Sequence, residues 1–329
     1  MPGIRLAAAS ILLCACAAAQ TFLPPVVIRV PVRVVTAPTL VFDRGGGLVP
    51  GLEQTDFQLF DNGRPQRVDL DPRVDPVSVV VAIQMNHDVR AYLPFIARVG
   101  SVVEALLVGA TGEGAVIAYN TDVTVLKPFD SGDIQLAMRT LAPSGVRAHM
   151  YDAVARAIGM LKRRAASRNR VIVLIGQPAD DGSETALADL RQQAERSYIS
   201  IYTLTLPEFG RSFVSDSFLL EGPAGSADRG GFKASVDLGK LASVIDRSGA
   251  VATHADAFSV LAAATGGTQI RFRRQAELEG GLAAIGVELR SSYLLSYSPD
   301  HADPGYHAIN VQVNREGART YARPGYWLQ

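Results

Sequence analysis

Cysteine is almost absent from this sequence, and neither sign of charge is in excess. The two cysteines, Cys14 and Cys16, both lie in an apolar N-terminal stretch. Without that stretch the chain has no disulfide, no thiolate metal site and no cysteine nucleophile. Lys plus Arg and Asp plus Glu number 32 each, so there is no long-range field to attract nucleic acid or anionic lipid. We therefore expect no nucleic-acid role.

Motifs for phosphate binding and for nucleophilic catalysis are also missing. There is no G-x-x-x-x-G-K-[ST], and no G-x-G-x-x-G follows a strand. No G-x-S-x-G elbow is present, and nothing in the sequence groups Ser, His and Asp into a triad. These absences favour a protein that is not an enzyme and that needs no cofactor.

The N-terminus has the pattern of a secretory signal peptide. One basic residue precedes a mostly apolar run from Leu6 to Ala19, which is shorter than the roughly 20 residues that a membrane-spanning helix needs. Ala17-Ala18-Ala19 fits a cleavage site, which predicts a signal peptide over residues 1–19. Lipidation at Cys16 is the alternative, because Leu13-Cys14-Ala15-Cys16 resembles a lipobox. We expect an exported protein that is periplasmic, at the cell surface or secreted.

Hydrophobic periodicity divides the rest of the chain into three regions. Residues 20–75 contain short strand patterns, with a strong hairpin signal at Asp61-Asn62-Gly63. From 76 to 290, apolar runs such as Val77–Ile83 alternate with segments of helical spacing. Residues 291–329 return to a pure β pattern.

This order of patterns predicts an α/β fold with a doubly wound, mostly parallel sheet. The β segments at the two ends each have too few strands to bury a good core. We therefore expect the N-terminal and C-terminal strands to pair and form a β-sandwich that flanks the sheet. A helical stretch is predicted over about 95–107 and a helix over about 148–164. Residues 207–235, rich in Gly, Ser and Asp, predict a flexible insertion.

A basic run lies between the second of these helices and the next strand. It comprises Lys162-Arg163-Arg164 and Arg168-Asn169-Arg170. We interpret it as the solvated C-terminal end of a helix, where cations complement the helix dipole. An anion-binding patch is the alternative interpretation.

Several short segments, spread in order along the chain, carry a family resemblance. They are Gly51–Gln66, Pro76–Ile83, Tyr151–Ala153, Ala264–Gly267, Glu288–Pro299 and Ala322–Tyr326. Through these segments the sequence resembles the von Willebrand factor A-related proteins of acidobacterial type. The resemblance implies an A-domain whose central sheet is ordered 3-2-1-4-5-6, with flanking β strands. It also implies a protein-interaction or adhesion-like module with an unidentified protein partner in the envelope or the extracellular space.

The resemblance further implies where a metal-ion-dependent adhesion site would lie. The family pattern is Asp-x-Ser-x-Ser after the first strand, a Thr before the central helix and an Asp after the fourth strand. Mg²⁺ prefers such hard oxygen ligands in an octahedron. Here Gln84, Asn86, Asp88, Ala148 and Gln177 occupy these positions. A single carboxylate offsets little of the dehydration cost of Mg²⁺, so we expect a degenerate site without metal and a metal-independent ligand-binding face.

A second hypothesis uses substituted ligands around the same loops. His87 and Asp88 follow the first strand, and His149 lies near the start of the central helix. Two imidazoles and a carboxylate, with the Asp180-Asp181 pair on the same face, would suit a transition metal such as zinc. The alternative is that these are exposed polar loop residues, because no tight spacing such as H-x-x-x-H connects them.

Overall fold

A computed structural model describes residues 34–71, 76–207, 256–301 and 303–328. The predicted signal peptide at residues 1–19, the alternative lipid anchor at Cys16 and all of the 207–235 insertion except Pro207 lie outside these residues. In the part of the chain that is described, none of the helices has the length and apolar character needed to cross a membrane.

The described chain contains strands at both ends and alternating strands and helices between them. The strands are β1 (Val35–Phe42), β2 (Phe57–Asp61), β3 (Arg64–Gln66), β4 (Asp69–Asp71), β5 (Val77–Gln84), β6 (Glu113–Tyr119), β7 (Val123–Lys127), β8 (Asn169–Gly176), β9 (Ile199–Thr205), β10 (Gln269–Arg271), β11 (Tyr293–Tyr297), β12 (Gly305–Val313), β13 (Arg319–Ala322) and β14 (Gly325–Leu328). The helices are α1 (Leu93–Ile96), α2 (Gly100–Val103), α3 (Ile134–Arg139), α4 (Met150–Leu161), α5 (Leu187–Arg196), α6 (Ala257–Thr265) and α7 (Gln275–Ser291).

Six strands form the central sheet, in the order β10-β9-β8-β5-β6-β7. Among the described strand pairs of this sheet, only β6–β7 is antiparallel, so the sheet is mostly parallel, as the alternating pattern predicted. Numbered from β5 as the first strand, this order is 3-2-1-4-5-6, which confirms the order that the family resemblance implied.

Both faces of the central sheet are covered, because successive side chains of a strand point to opposite faces. Along β5, Val79, Val81 and Ile83 belong to one apolar cluster, and Val80 and Ala82 belong to another. The first cluster includes residues of α1, α2, α3 and α7, and the second includes residues of α4, α5 and α6. Every residue of β5 is buried, and each fully buried Val contributes about 1.5–3 kcal/mol.

Two four-stranded antiparallel sheets flank the central sheet. Their orders are β13-β1-β11-β4 and β14-β12-β2-β3. β1 pairs with β11 and β2 pairs with β12, so strands from the two ends of the chain lie side by side. Residues of both sheets, including Ala37, Leu59, Leu295 and Tyr326, share one apolar cluster.

The hairpin predicted at Asp61-Asn62-Gly63 is confirmed. β2 and β3 pair in an antiparallel manner around this turn. Asn62 and Gly63 have φ values of 48° and 78°, which lie in the left-handed region that Asn and Gly tolerate.

The helical stretch predicted over about 95–107 is helical but not continuous. It consists of α1, α2 and a π-helical turn at Glu104–Val108. A Cβ at Gly100, the first residue of α2, would lie 2.5 Å from the Gln135 backbone, so the chain passes close to α3 there. The helix predicted over about 148–164 is confirmed with narrower limits, as α4.

Candidate functional site

The candidate site lies where β5 and β8 end. These two strands are neighbours, and the order of strands along the sheet reverses between them. In a doubly wound sheet, a crevice opens outside the carboxyl ends of the strands at such a point. Gln84 is the last residue of β5, and Gln177 directly follows β8. Two of the predicted face residues therefore meet at this crevice.

Four of the five predicted face residues are joined in one chain of hydrogen bonds. The Gln177 backbone N–H donates to Gln84 Oε1 at 2.7 Å, and Gln84 Nε2 donates to Asn86 Oδ1 at 2.9 Å. Asn86 Nδ2 then donates to Asp88 Oδ2 at 2.8 Å and to the Val146 carbonyl at 3.1 Å. Gln84 and Asn86 are buried, and Asp88 is exposed.

Backbone groups at both ends determine which way the hydrogen bonds in this series run. The Gln177 N–H can only donate, so the oxygen of Gln84 faces it and the Gln84 amide nitrogen faces Asn86. Asn86 must then present its oxygen to Gln84 and its nitrogen to the Val146 carbonyl, which can only accept. The orientation of both amides is therefore internally consistent, and the buried groups of this chain are paired with one another.

These residues do not fit Mg²⁺ in the manner of the family site. The ion needs oxygen lone pairs that converge on one point. The Gln84 oxygen accepts from Gln177, the Asn86 oxygen accepts from Gln84, and the amide nitrogens between them are donors. A hydrogen-bonded network thus links the residues at the ligand positions.

The fifth predicted face residue, Ala148, contributes its backbone. It is buried directly before α4, and its carbonyl accepts from the Asp181 N–H at 3.0 Å. A methyl side chain offers no ligand atom, so Ala148 holds the loop after β8 against the start of α4 without adding polar side-chain chemistry.

Two carboxylates near the site are also engaged in holding that loop. Asp180 Oδ1 accepts from the Tyr151 N–H at 2.9 Å, in the first turn of α4, and from the Ser183 hydroxyl. Asp152 accepts from the N–H groups of Glu184 and Thr185 and from the Thr185 hydroxyl.

The charge of Asp152 is stabilised by these bonds. Burial alone would raise the pKa of its carboxyl, but the hydrogen bonds from Thr185 and Glu184 outweigh burial and hold the pKa below its ordinary value. Asp152 is therefore an ionised residue that fixes the loop.

The alternative ligands His87, Asp88 and His149 are held by different parts of the chain. Asp88 accepts from Asn86, and the His87 backbone N–H donates to the Gly145 carbonyl at 3.3 Å. The carboxylate beside His149 is that of Asp152, whose Oδ2 lies 4.0 Å from His149 Nδ1. Across residues 34–71, 76–207, 256–301 and 303–328, no group of three or more His, Cys, Asp or Glu side chains is arranged to hold a metal ion.

Tyr119 lies beneath the site and was not identified from the sequence. It is the last residue of β6, is fully buried, and its hydroxyl has no hydrogen-bond partner among the described residues. Burial, with a smaller contribution from Asp180, raises the pKa of this phenol. A Cβ at Gly176 would lie 2.5 Å from the Tyr119 hydroxyl oxygen and 2.7 Å from Gln84 Oε1. Only glycine therefore lets Tyr119 and Gln84 approach the end of β8 so closely.

Comparison with known proteins gives structural matches only. No protein-family model and no curated protein matches the sequence. The chain is similar to a von Willebrand factor type A protein from Catenulispora acidiphila (12% identity, 91% of this chain and 64% of that one, TM-score 0.46). It is also similar to the conserved hypothetical protein BatB from Bacteroides thetaiotaomicron (14% identity, 65% and 97% covered, TM-score 0.43).

A further match is the von Willebrand factor domain of the type V pili tip protein Mfa5 from Porphyromonas gingivalis, with 18% identity, 36% and 44% covered and a TM-score of 0.29. The described chain itself combines a mostly parallel sheet in the order 3-2-1-4-5-6 with flanking antiparallel sheets. This arrangement agrees with the strand order and the flanking strands that the sequence resemblance implied.

Proposed function

We propose that this chain is an exported, non-enzymatic module that binds a protein partner through the carboxyl face of its central sheet, without a metal ion. The observation that carries the proposal is the hydrogen-bond chain from Gln177 through Gln84 and Asn86 to Asp88. Because these hydrogen bonds pair the buried amides of Gln84 and Asn86, the two side chains need no ion to satisfy them.

The contact surface that we propose lies around Val146. This side chain is 78% exposed, and its carbonyl accepts from Asn86, so it lies beside the hydrogen-bond chain. His87, Asp88 and Arg147 are exposed in the same loops. An exposed apolar group surrounded by charged and polar groups on loops held by a rigid sheet suits protein recognition.

The organisation of the chain is part of the same proposal. Residues 1–19 act as a signal peptide, with Cys16 as a lipid anchor in the alternative case, and the protein is periplasmic, at the cell surface or secreted. The 20–75 and 291–329 segments form a β-sandwich around the 76–290 domain, which is supported by their shared apolar cluster.

A pull-down from the native envelope with matched variants tests the surface. The bait is the mature chain, compared with Val146→Asp and with Leu136→Asp, a control that changes another large exposed side chain (65% exposed) on α3. We expect a captured protein that is lost with Val146→Asp and kept with Leu136→Asp. Equal capture by all three baits would contradict the proposed surface.

A metal titration tests the metal-independent part of the proposal. Calorimetry with Mg²⁺, Mn²⁺ and Zn²⁺ on the mature protein should give no tight binding, and capture of the partner should persist in EDTA. Tight binding that is abolished by Asp88→Ala or His149→Ala would instead support the metal-dependent alternative around His87, Asp88 and His149.

A further inference from the structure

A cavity of about 240 Å³ lies at the opposite end of the central sheet from the candidate site. Arg168, Asn169 and Arg170 line it where β8 begins, together with Tyr198 and Arg323. The other lining residues are Val34, Thr36, Pro38, Ala166, Ser167, Leu289, Ser292 and Leu294. Three of the described lining residues are arginines, and none is acidic.

Arg323 is the most unusual of these arginines. It is only 6% exposed, and its Nε and Nη1 groups are buried without a hydrogen-bond partner in the described part of the chain. The guanidinium carbon lies 4.8 Å from the centre of the Tyr198 ring. A cation–π contact of this kind replaces only part of the hydration that a buried charge loses.

Arg170 lines the same cavity and also has a buried guanidinium nitrogen without a described partner. Its terminal nitrogens donate to the carbonyls of Ser197 and Arg164, but its Nε is buried without a partner among the described residues. Burial lowers the pKa of both Arg170 and Arg323, with a partial offset from Tyr198 and Glu195 for Arg323. Burial therefore costs both guanidinium groups hydration that their described neighbours replace only in part.

Nearby carboxylates are committed to other partners. Glu113 pairs with Arg164 and with Arg168, whose Nε lies 3.1 Å from Glu113 Oε1. Glu195 pairs with Arg191 at 2.9 Å and accepts from Trp327 at 2.8 Å.

Glu288 lines a smaller adjoining cavity of about 20 Å³, which Arg323 also lines. It accepts from the Thr268 hydroxyl at 3.1 Å. Among the described residues, no carboxylate forms an ion pair with Arg170 or Arg323.

The geometry points to a binding site for a small phosphate-class oxyanion in this cavity, held by Arg170 and Arg323. Guanidinium N–H groups suit phosphate oxygens, and two guanidinium groups match a dianion. Hydroxyl and amide side chains of Thr36, Ser292 and Asn169 lie in the same lining. The volume of about 240 Å³ is many times the roughly 10–15 Å³ that one water needs, so the cavity has room for a group larger than water.

Calorimetry with inorganic phosphate on the full mature chain, in chloride buffer at physiological ionic strength, tests this site. We expect saturable binding by the unchanged protein and at least tenfold weaker binding by Arg170→Gln. The matched control is Arg163→Gln, which removes the same charge from an exposed residue of the same basic run and should bind as the unchanged protein does. Absence of saturable binding, or equal weakening by both variants, would overturn the site.

Arg323→Lys gives an independent test, because it keeps the positive charge and removes the planar guanidinium group. It should also weaken binding at least tenfold, and circular dichroism would establish that it folds; if it does not fold, Arg170→Gln still decides. Glycerol 3-phosphate in place of phosphate distinguishes an esterified from a free phosphate, and tighter binding of either supports the site. Tighter binding of succinate than of both would overturn the phosphate class.

Discussion

His307 Nδ1 lies 2.8 Å from Asp61 Oδ1, although 246 residues separate the two in the chain. The other oxygen of Asp61 accepts from the hydroxyls of Tyr297 at 3.0 Å and Tyr326 at 2.7 Å. His307 Nε2 lies 2.8 Å from the Asp303 carbonyl, so both ring nitrogens face acceptors. This arrangement favours the protonated imidazole.

Stability should therefore depend on the charge of His307. Burial alone would lower its pKa, but the hydrogen bond to the Asp303 carbonyl and the bond to Asp61 outweigh burial and raise the pKa above its ordinary value of 6.5. The folded state then binds the proton more tightly than the unfolded state does. The stabilisation is fully present below the unfolded pKa and is lost as pH rises through the folded pKa.

Urea unfolding from acidic to mildly alkaline pH tests this dependence. We expect the free energy of unfolding of the unchanged protein to fall as pH rises from 6.5 through the raised folded pKa. His307→Gln should remove that decline, and the exposed-residue control His87→Gln should keep it. An unchanged decline in His307→Gln would assign it to another group.

Tyr119→Phe should stabilise the protein. The Tyr119 hydroxyl is buried without a described partner, and an unsatisfied buried polar group costs about 1–3 kcal/mol, so its removal should raise the free energy of unfolding by about 1 kcal/mol. Tyr297→Phe is the matched control, because its hydroxyl donates to buried Asp61 and its loss should cost about 1.5–3 kcal/mol. Chemical denaturation of both variants measures the difference, and effects of the same sign would contradict the assignment.

Gly176→Ala should destabilise the site by about 1–3 kcal/mol through overpacking against Tyr119 and Gln84. The added methyl group would lie closest to the Tyr119 hydroxyl, so Tyr119→Phe should offset part of the loss in the double variant. Gly159→Ala in α4 is the control, because a Cβ there meets nothing within 4 Å and should stabilise the helix by about 0.5–1 kcal/mol. A double-mutant cycle measures this coupling from the unfolding free energies. If the effects of Gly176→Ala and Tyr119→Phe were additive, overpacking against the Tyr119 hydroxyl would be rejected.

Gln84→Ala should lower the free energy of unfolding by about 1–3 kcal/mol, because it leaves the Gln177 N–H and the Asn86 oxygen without their partner. Gln193→Ala, on the exposed side of α5, should have little effect. Thermal unfolding with and without EDTA should give the same loss in both conditions. A loss seen only without EDTA would mean that an ion, not the hydrogen-bond chain, holds these residues.

Much of the fold was predictable because the strands of the central sheet are buried on both faces. The apolar run Val77–Ile83 is typical of a strand covered on both faces, and Asn62-Gly63 is typical of a tight turn between strands. The close approach of Gly100 to Gln135 was not predictable, because it depends on how α2 packs against α3. The spacing of apolar residues in that segment is compatible with one continuous helix.

The contacts of the basic run at residues 162–170 were also only partly predictable from the sequence. Lys162 and Arg163 are exposed, in keeping with a solvated helix end. Arg164 and Arg168 instead pair with Glu113, and Arg170 lines a cavity with Arg323. Glu113 and Arg323 are distant in sequence from this run, so no local pattern could indicate these contacts.

By itself, the sequence determined the alternation of elements and the residue types that stand at the ends of the strands of the central sheet. Those properties depend on residue type and spacing, which local sterics and burial translate directly into structure. Only the tertiary structure decided what these residues contact, because Gln84 meets Gln177, and Arg170 and Arg323 line one cavity, only after the sheets have assembled. Hydrogen bonds and buried charges act over a few ångströms, and the folded chain alone brings such distant residues within that range.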